Sequence, residues 1–399
     1  LPHNPDLVRI LFLSFYFQPD LSACAFRSTE LVKALRHVGD GRVQIEVLTT
    51  RPNRYSTFQP AAPPVEEAPG LTVRRFAVPG HSSGMLDQSR VFASYAYQVS
   101  RSVRRGGCDL VLATSSRLMT AVLGAWVSSR AEAPLYLDLR DIFVETMHEL
   151  VESRFRRAFL APFHLLETYA LRKARRVNLV SEAFADHFRR IVPRQEFRFF
   201  TNGIDDEFLG VSFAAVEANP RPLIVCAGNI GQGQGLERIV PQAARLLDGE
   251  AEFLIVGDGG RRKLLERSLA EAGVRNVQLR PPVMRSELVE IYRRADYLFL
   301  HLNAQAAFER VLPSKLFEYA ATGKPILAGV AGYPRAFLQK WVPGVEVFDP
   351  CDAQAMAVAF RRLPRGLSSR EEFVRRFARS RLARAMAEDI LDLAAGGAV

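Results

Sequence analysis

A chain of 399 residues is too long for one ordinary hydrophobic core, and 48% hydrophobic against 24% charged residues excludes a disordered chain, so two domains of roughly 200 residues each are expected. The formal charge of +10 asks for an anionic partner and leaves nucleic acid, an anionic membrane face and phosphorylated substrates open. No run of roughly eighteen apolar residues marks a membrane span, no basic-then-apolar leader marks a signal peptide, and Cys24, Cys108, Cys226 and Cys351 form no metal spacing, so a reducing cytoplasm is expected.

Residues 8–13 are an apolar run suited to a buried strand, and an amphipathic helix is expected over 30–35. The loop between them carries the small residues Ser22, Ala23 and Ala25, which let a ligand approach. Arg27 beside them is either a cation for a phosphate or a structural residue. Alternation at Val43, Ile45 and Val47, again at Leu71, Val73 and Val78, and the run 110–113 predict further strands, with helices such as 121–127 between them. The proline-rich piece 60–69 reads as a surface excursion. Residues 134–139 form a strand whose exit carries Asp138, Arg140, Asp141, Glu145 and His148. Strand carboxyl ends face the ligand crevice of a doubly wound sheet, so these groups are functional candidates, with helix capping the other reading of Asp141. The segment 153–180 mixes Phe155, Phe159, Leu160, Phe163 and Leu165 with Arg154, Arg156, Arg157, Arg172 and Lys173. Such a basic helix either packs on its own sheet or lies in the plane of an anionic membrane. A strand over 177–181, the turn Asn202-Gly203-Ile204-Asp205 and a polar linker near 214–222 close the first half.

The second half opens with a buried strand over 223–227 and then GNIGQGQG, whose Gly228, Gly231, Gly233 and Gly235 stand between a strand and a helix, as a phosphate-approach loop requires. It lacks the third glycine of the dinucleotide fingerprint at the required spacing, and its polar members Asn229 and Gln234 are neutral. Strands at 253–257, 277–281 and 297–302 alternate with helices, and His301 at the end of the last is a nucleotide contact or a structural histidine. In FERVLPSKLFEYAATGKPILAGVAG, Pro313 suits the first turn of a helix that Gly323 and Pro325 end, with a buried strand after it. Lys315 and Glu318 lie three apart and share one helix face. The cation suits a diphosphate near the first-turn N–H groups, and the carboxylate suits the hydroxyls of a ribose; a solvated ion pair is the plainer reading. An amphipathic helix over 370–393 ends the pattern. Strands alternating with helices in both halves argue for an α/β chain with doubly wound parallel sheets.

The Pro-Ser-Lys start, the FEY core and the GKP stop of the segment 308–332 closely resemble the donor-site segment of retaining glycosyltransferases of family 4, above all the WbuB-like branch that serves bacterial O-antigen and capsule assembly. The likeness runs through nearly the whole chain, taking in FYFQPD, DLRD, Ser181-Glu182, NGID and the GNIGxxQG form of the glycine loop. It implies the GT-B architecture: two Rossmann-like doubly wound parallel-sheet domains facing a cleft, over 1–210 and 221–378, with a helix at 379–399 crossing back to the first. It also implies that Glu318 holds the nucleotide ribose, that Ser314 and Lys315 face the diphosphate, and that Gly228, Asn229, Gly231 and Gln234 line the donor. Asp141 is retained from the family's His-Asp pair and joins Lys315 and Glu318 in the expected catalytic set, while Arg140 stands in the histidine's place. Arg27, Arg140 and Glu145 are acceptor-side or phosphate candidates. Many members carry two glutamates separated by seven residues; here Arg310, with Glu309 beside it, stands eight before Glu318, and the contact to the transferred sugar is open.

The reaction so implied moves a hexose or N-acetylhexosamine, with retained configuration, from a nucleotide-diphosphate sugar, UDP first, to a hydroxyl of a lipid-linked or surface-polysaccharide glycan. The enzyme would work at the inner face of the cell membrane. No cofactor is expected, and no obligatory metal, because no DxD-like pair stands beside the phosphate candidates. A sugar-nucleotide 2-epimerase of the same architecture and a non-enzymatic nucleic-acid-binding protein are the alternatives; against the latter, aromatic residues are not interleaved with the basic ones.

Overall fold

The first half is a strand-and-helix succession: β1 (Val8–Ser14), α1 (Ala23–Gly39), β2 (Val43–Thr50), β3 (Val65–Ala68), β4 (Leu71–Phe76), α2 (Met85–Ser102), β5 (Leu110–Ser115), α3 (Leu118–Ala131), β6 (Leu135–Leu139), α4 (Arg156–Lys173), β7 (Arg176–Leu179), α5 (Ala185–Ile191) and β8 (Phe197–Arg198). The structure is a computed structural model that describes residues 7–53, 60–80, 85–115, 118–145, 156–214 and 219–396. It divides into Leu1–Thr201 with Arg379–Val399, here unit 1, and Asn202–Ala378, unit 2. His148 and residues 153–155 of the basic segment lie outside the described residues.

Unit 1 holds one sheet in the order β3-β4-β2-β1-β5-β6-β7-β8. Its pairings are parallel except that of β3 with β4. The apolar runs in β1, β5 and β6 are buried almost throughout, as strands covered by helices on both faces must be. The proline-rich excursion holds an antiparallel edge strand, a detail that its proline content hid; at an edge, a residue without a ladder N–H is tolerated. The helix expected over 30–35 starts earlier, at Ala23, because the Ser22 hydroxyl accepts the Ala25 N–H at 3.1 Å. Ser22 is therefore an N-cap. The basic helix α4 buries Leu160, Glu167, Ala170 and Leu171 and packs on α3, while Leu165 and Tyr169 face outwards. Among the described residues no helix is long and apolar enough to cross a membrane.

Unit 2 repeats the scheme with β9 (Leu223–Ala227), α6 (Leu236–Leu246), β10 (Glu252–Val256), α7 (Arg262–Ala272), β11 (Val277–Arg280), α8 (Arg285–Arg294), β12 (Tyr297–His301), α9 (Ser314–Ala321), β13 (Ile326–Gly329), α10 (Gly332–Trp341), β14 (Val345–Phe348), α11 (Ala353–Arg362) and α12 (Glu371–Phe377). Its strands are all parallel in the order β11-β10-β9-β12-β13-β14. Strand order reverses between β9 and β12, and the crevice beyond their carboxyl ends is where such a sheet takes its ligand. The single final helix expected over 370–393 is two: α12 ends at Ala378, whose ψ of 127° leaves the helical region, and α13 (Arg379–Gly396) follows. The second of these returns to unit 1, where Met386, Ala387 and Ile390 join Leu31, Val32 and Leu35 of α1 in one core.

Candidate functional site

The two loops at the reversal point of the unit 2 sheet carry the residues that the sequence singled out. Gly228 leaves β9 at φ 121°, and a methyl group built on it would lie 2.3 Å from Cε and 2.7 Å from Nζ of Lys315. The lysine side chain therefore lies across the α-carbon of the loop's first glycine, and no residue with a side chain leaves it that path. Gly257 approaches as closely from β10, where an added methyl would meet the Gly228 carbonyl oxygen at 1.8 Å. Asn229 and Gln234, expected to line the donor, engage each other: Gln234 Oε1 accepts from Asn229 Nδ2 at 2.9 Å and from the Gly231 N–H at 3.2 Å. These bonds hold the loop's shape and leave its backbone to meet a ligand.

His301 at the end of β12 is structural. Its Nδ1 bonds the Gln234 carbonyl at 2.6 Å and its Nε2 accepts the Cys351 N–H at 2.9 Å. Burial pushes the ring down to about 4, so it is neutral and pins the glycine loop to the β14 exit. Pro313 is the N-cap of α9, one position before the first helical turn expected of it. It offers the helix no side-chain acceptor, so Ser314 and Lys315 begin a helix whose first N–H groups face the crevice side of the sheet. Glu309 is exposed at the end of the preceding turn, its backbone against Gly332.

Glu318 follows one turn after Lys315 and is 7% exposed. A carboxylate so buried needs a partner. Arg285 Nη1 donates to its Oε1 at 2.9 Å, and the Tyr292 hydroxyl lies 3.4 Å from its Oε2. The same guanidinium pairs with Asp205 and lies 4.9 Å above the Phe208 ring. Sequence reading missed Arg285 because 33 residues separate it from Glu318 and no local motif announces it.

In unit 1 the DLRD residues part company. Asp138 is 1% exposed and accepts from Arg27 Nε and Nη2, at 2.8 and 3.0 Å, with Asn178 Nδ2 at 2.7 Å and Thr114 Oγ1 at 3.1 Å. Burial pushes that carboxyl up, but Arg27 outweighs it and the net shift is downwards. Arg27 also donates to the carbonyls of Thr201 and Phe200, which corrects its candidacy for a phosphate: the buried Asp138 holds it inside the unit. Arg140 is likewise turned in, with Nη1 on the Ala23 carbonyl at 3.0 Å. Asp141 is exposed at one side and lines a narrow cavity of about 20 Å³ walled by Leu118, Leu139 and Phe143. Desolvation pushes its carboxyl up to about 6 against the pull of Arg140. Glu145 bonds His187 Nδ1 at 3.2 Å, and Glu167 bonds its Nε2 at 3.1 Å. Burial alone would lower that imidazole, but the two carboxylates raise it to about 9. The pairing of His187 was not foreseen; it spans 20 residues and two helices. Among the described residues no group of three or more His, Cys, Asp or Glu is placed to hold a metal ion.

Two family models match the chain. Residues 23–203 match the glycosyl transferase 4-like domain, and residues 221–365 match the glycosyl transferases group 1 model. The Escherichia coli (strain K12) protein WcaI, named as a colanic acid biosynthesis glycosyl transferase, is 31% identical over 161 residues, a stretch that spans 39% of this chain and 39% of that relative. Sucrose-phosphate synthase from Thermosynechococcus elongatus has a similar fold, with a TM-score of 0.65 at 15% identity over 98% of this chain and 97% of the other. Trehalose 6-phosphate synthase from Burkholderia multivorans gives 0.68 at 13% identity over 98% of each chain. HepE from Anabaena, solved in complex with UDP-glucose, gives 0.58 at 16% identity over 98% of each.

Proposed function

Because the chain belongs to the glycosyltransferases of family 4 and has their GT-B fold, we propose that it transfers a hexose or N-acetylhexosamine from a nucleotide-diphosphate sugar, UDP first, to a hydroxyl of a lipid-linked or surface-polysaccharide glycan. The observation that carries this reading is Lys315 laid across Gly228, with Glu318 one helical turn further on at the reversal point of the sheet. The lysine, the backbone of the glycine loop and the first turn of α9 stabilise the departing diphosphate, while Glu318 accepts hydrogen bonds from the ribose hydroxyls. Catalysis is positional and electrostatic, needs no bound metal, and retains the anomeric configuration as the acceptor proton passes to a leaving phosphate oxygen. Asp141 is the acceptor-side group of this scheme. The colanic acid role in WcaI's name and the UDP-glucose in the HepE complex support a surface glycan and a UDP donor. The outward Leu165 and Tyr169 on α4, followed by Arg172 and Lys173, support attachment at the inner face of the cell membrane.

Thermal-shift screening against UDP-, GDP-, dTDP- and CMP-sugars identifies the nucleotide, and a transfer assay with that donor tests the residues. Lys315→Ala and Glu318→Ala are each expected to lower turnover by roughly 10²–10³-fold with an unchanged circular dichroism spectrum. Near-normal rates in both variants reject the assignment.

A further inference from the structure

The carboxylate given to the ribose belongs to a chain of three charged groups, two buried carboxylates and the arginine between them. Glu318 receives Arg285 Nη1 at 2.9 Å, and the other arm of that guanidinium pairs with Asp205 of the NGID turn. The side chains of Asp205 and Glu318 are 7% and 9% exposed and that of Arg285 is 15% exposed, so none of these charges is relaxed by bulk water. Phe208 lies under the guanidinium at 4.9 Å and, at 5.7 Å, stacks on Tyr292, whose hydroxyl approaches Glu318 Oε2. The planar fork of an arginine can serve two carboxylates at once, whereas an ammonium is a point charge without that geometry. A carboxylate has about four lone-pair sites, so the arginine and tyrosine leave Glu318 room for two hydroxyl donors.

We propose that Arg285 is a positioning residue for the donor, aiming Glu318 at the ribose hydroxyls, and that Asp205 holds Arg285 in that pose. The inference rests on the reading of Glu318 as the ribose acceptor. It gives the NGID turn a part in nucleotide recognition, through side chains that do not themselves touch the nucleotide.

The test measures binding of UDP, 2′-deoxy-UDP and inorganic pyrophosphate to the full chain by calorimetry. Wild type is expected to prefer UDP over its deoxy analogue by about tenfold or more, the worth of a hydrogen bond to a charged group, and Glu318→Ala to erase that preference. Arg285→Ala and Arg285→Lys should erase most of it as well while leaving pyrophosphate affinity within about twofold, and Asp205→Asn should reduce it. The lysine variant keeps the positive charge and stands in if the alanine variant fails to fold. Two outcomes overturn the inference: both Arg285 variants keeping the preference that Glu318→Ala loses, or pyrophosphate binding falling in parallel, as for a merely structural residue. A wild type that does not discriminate the two nucleotides removes the ribose reading itself and the inference with it.

Discussion

His187 and His301 show how surroundings make one residue type a cation in one place and neutral in another. The first stands between Glu145 and Glu167 and is raised to about 9; the second accepts a backbone N–H in an apolar site and is lowered to about 4. For His187 the folded form keeps a proton that the unfolded chain releases near pH 6.5. Its contribution, ~3 kcal/mol at most, is therefore full below pH 6.5 and lost as pH rises through about 9. The melting-temperature gap between wild type and His187→Gln should shrink steadily between those values, and a gap constant with pH would contradict the charged clasp. Lys315 and Glu318 were legible in the sequence because one helical turn joins them. Arg27, Arg285 and His187 were not, since their partners lie 111, 33 and 20 residues away and periodicity carries no information over such separations.

Among the elements, strands covered on both faces were the most legible, because a continuous apolar run has few other uses in a chain of this composition. Helix ends were less so. The start of α1 depends on whether Ser22 is used as a cap or as a gap for a ligand, and the bond to Ala25 settles it for the cap. The break between α12 and α13 lies where the chain passes from unit 2 to unit 1. Burial ties α13 to unit 1, with Ile390 fully enclosed against the α1 core. Ile390→Ala should cost unit 1 about 2–5 kcal/mol through lost burial and the cavity left behind. Its denaturation midpoint, followed by fluorescence or hydrogen exchange of unit 1 amides, should fall accordingly; an unchanged midpoint would mean that the helix is only loosely applied.

For the molecule as a whole, the charge of +10 and the outward apolar residues of α4 together bear on membrane attachment. Vesicles with about 30% anionic lipid should float the protein at low salt, with recovery falling as salt screens the attraction, and Leu165→Glu should reduce it. Equal recovery with neutral vesicles would count against attachment. By itself the sequence determined the layered α/β plan of each half and the segment around Lys315 and Glu318, because alternating burial and one-turn spacing are local properties of the chain. Only the tertiary structure decided which charges are free to meet a ligand. Asp138 draws Arg27 inwards, Asp205 and Glu318 share Arg285, and two glutamates grip His187. Each pairing answers the cost of burying a charge, and that cost exists only once distant segments have come together.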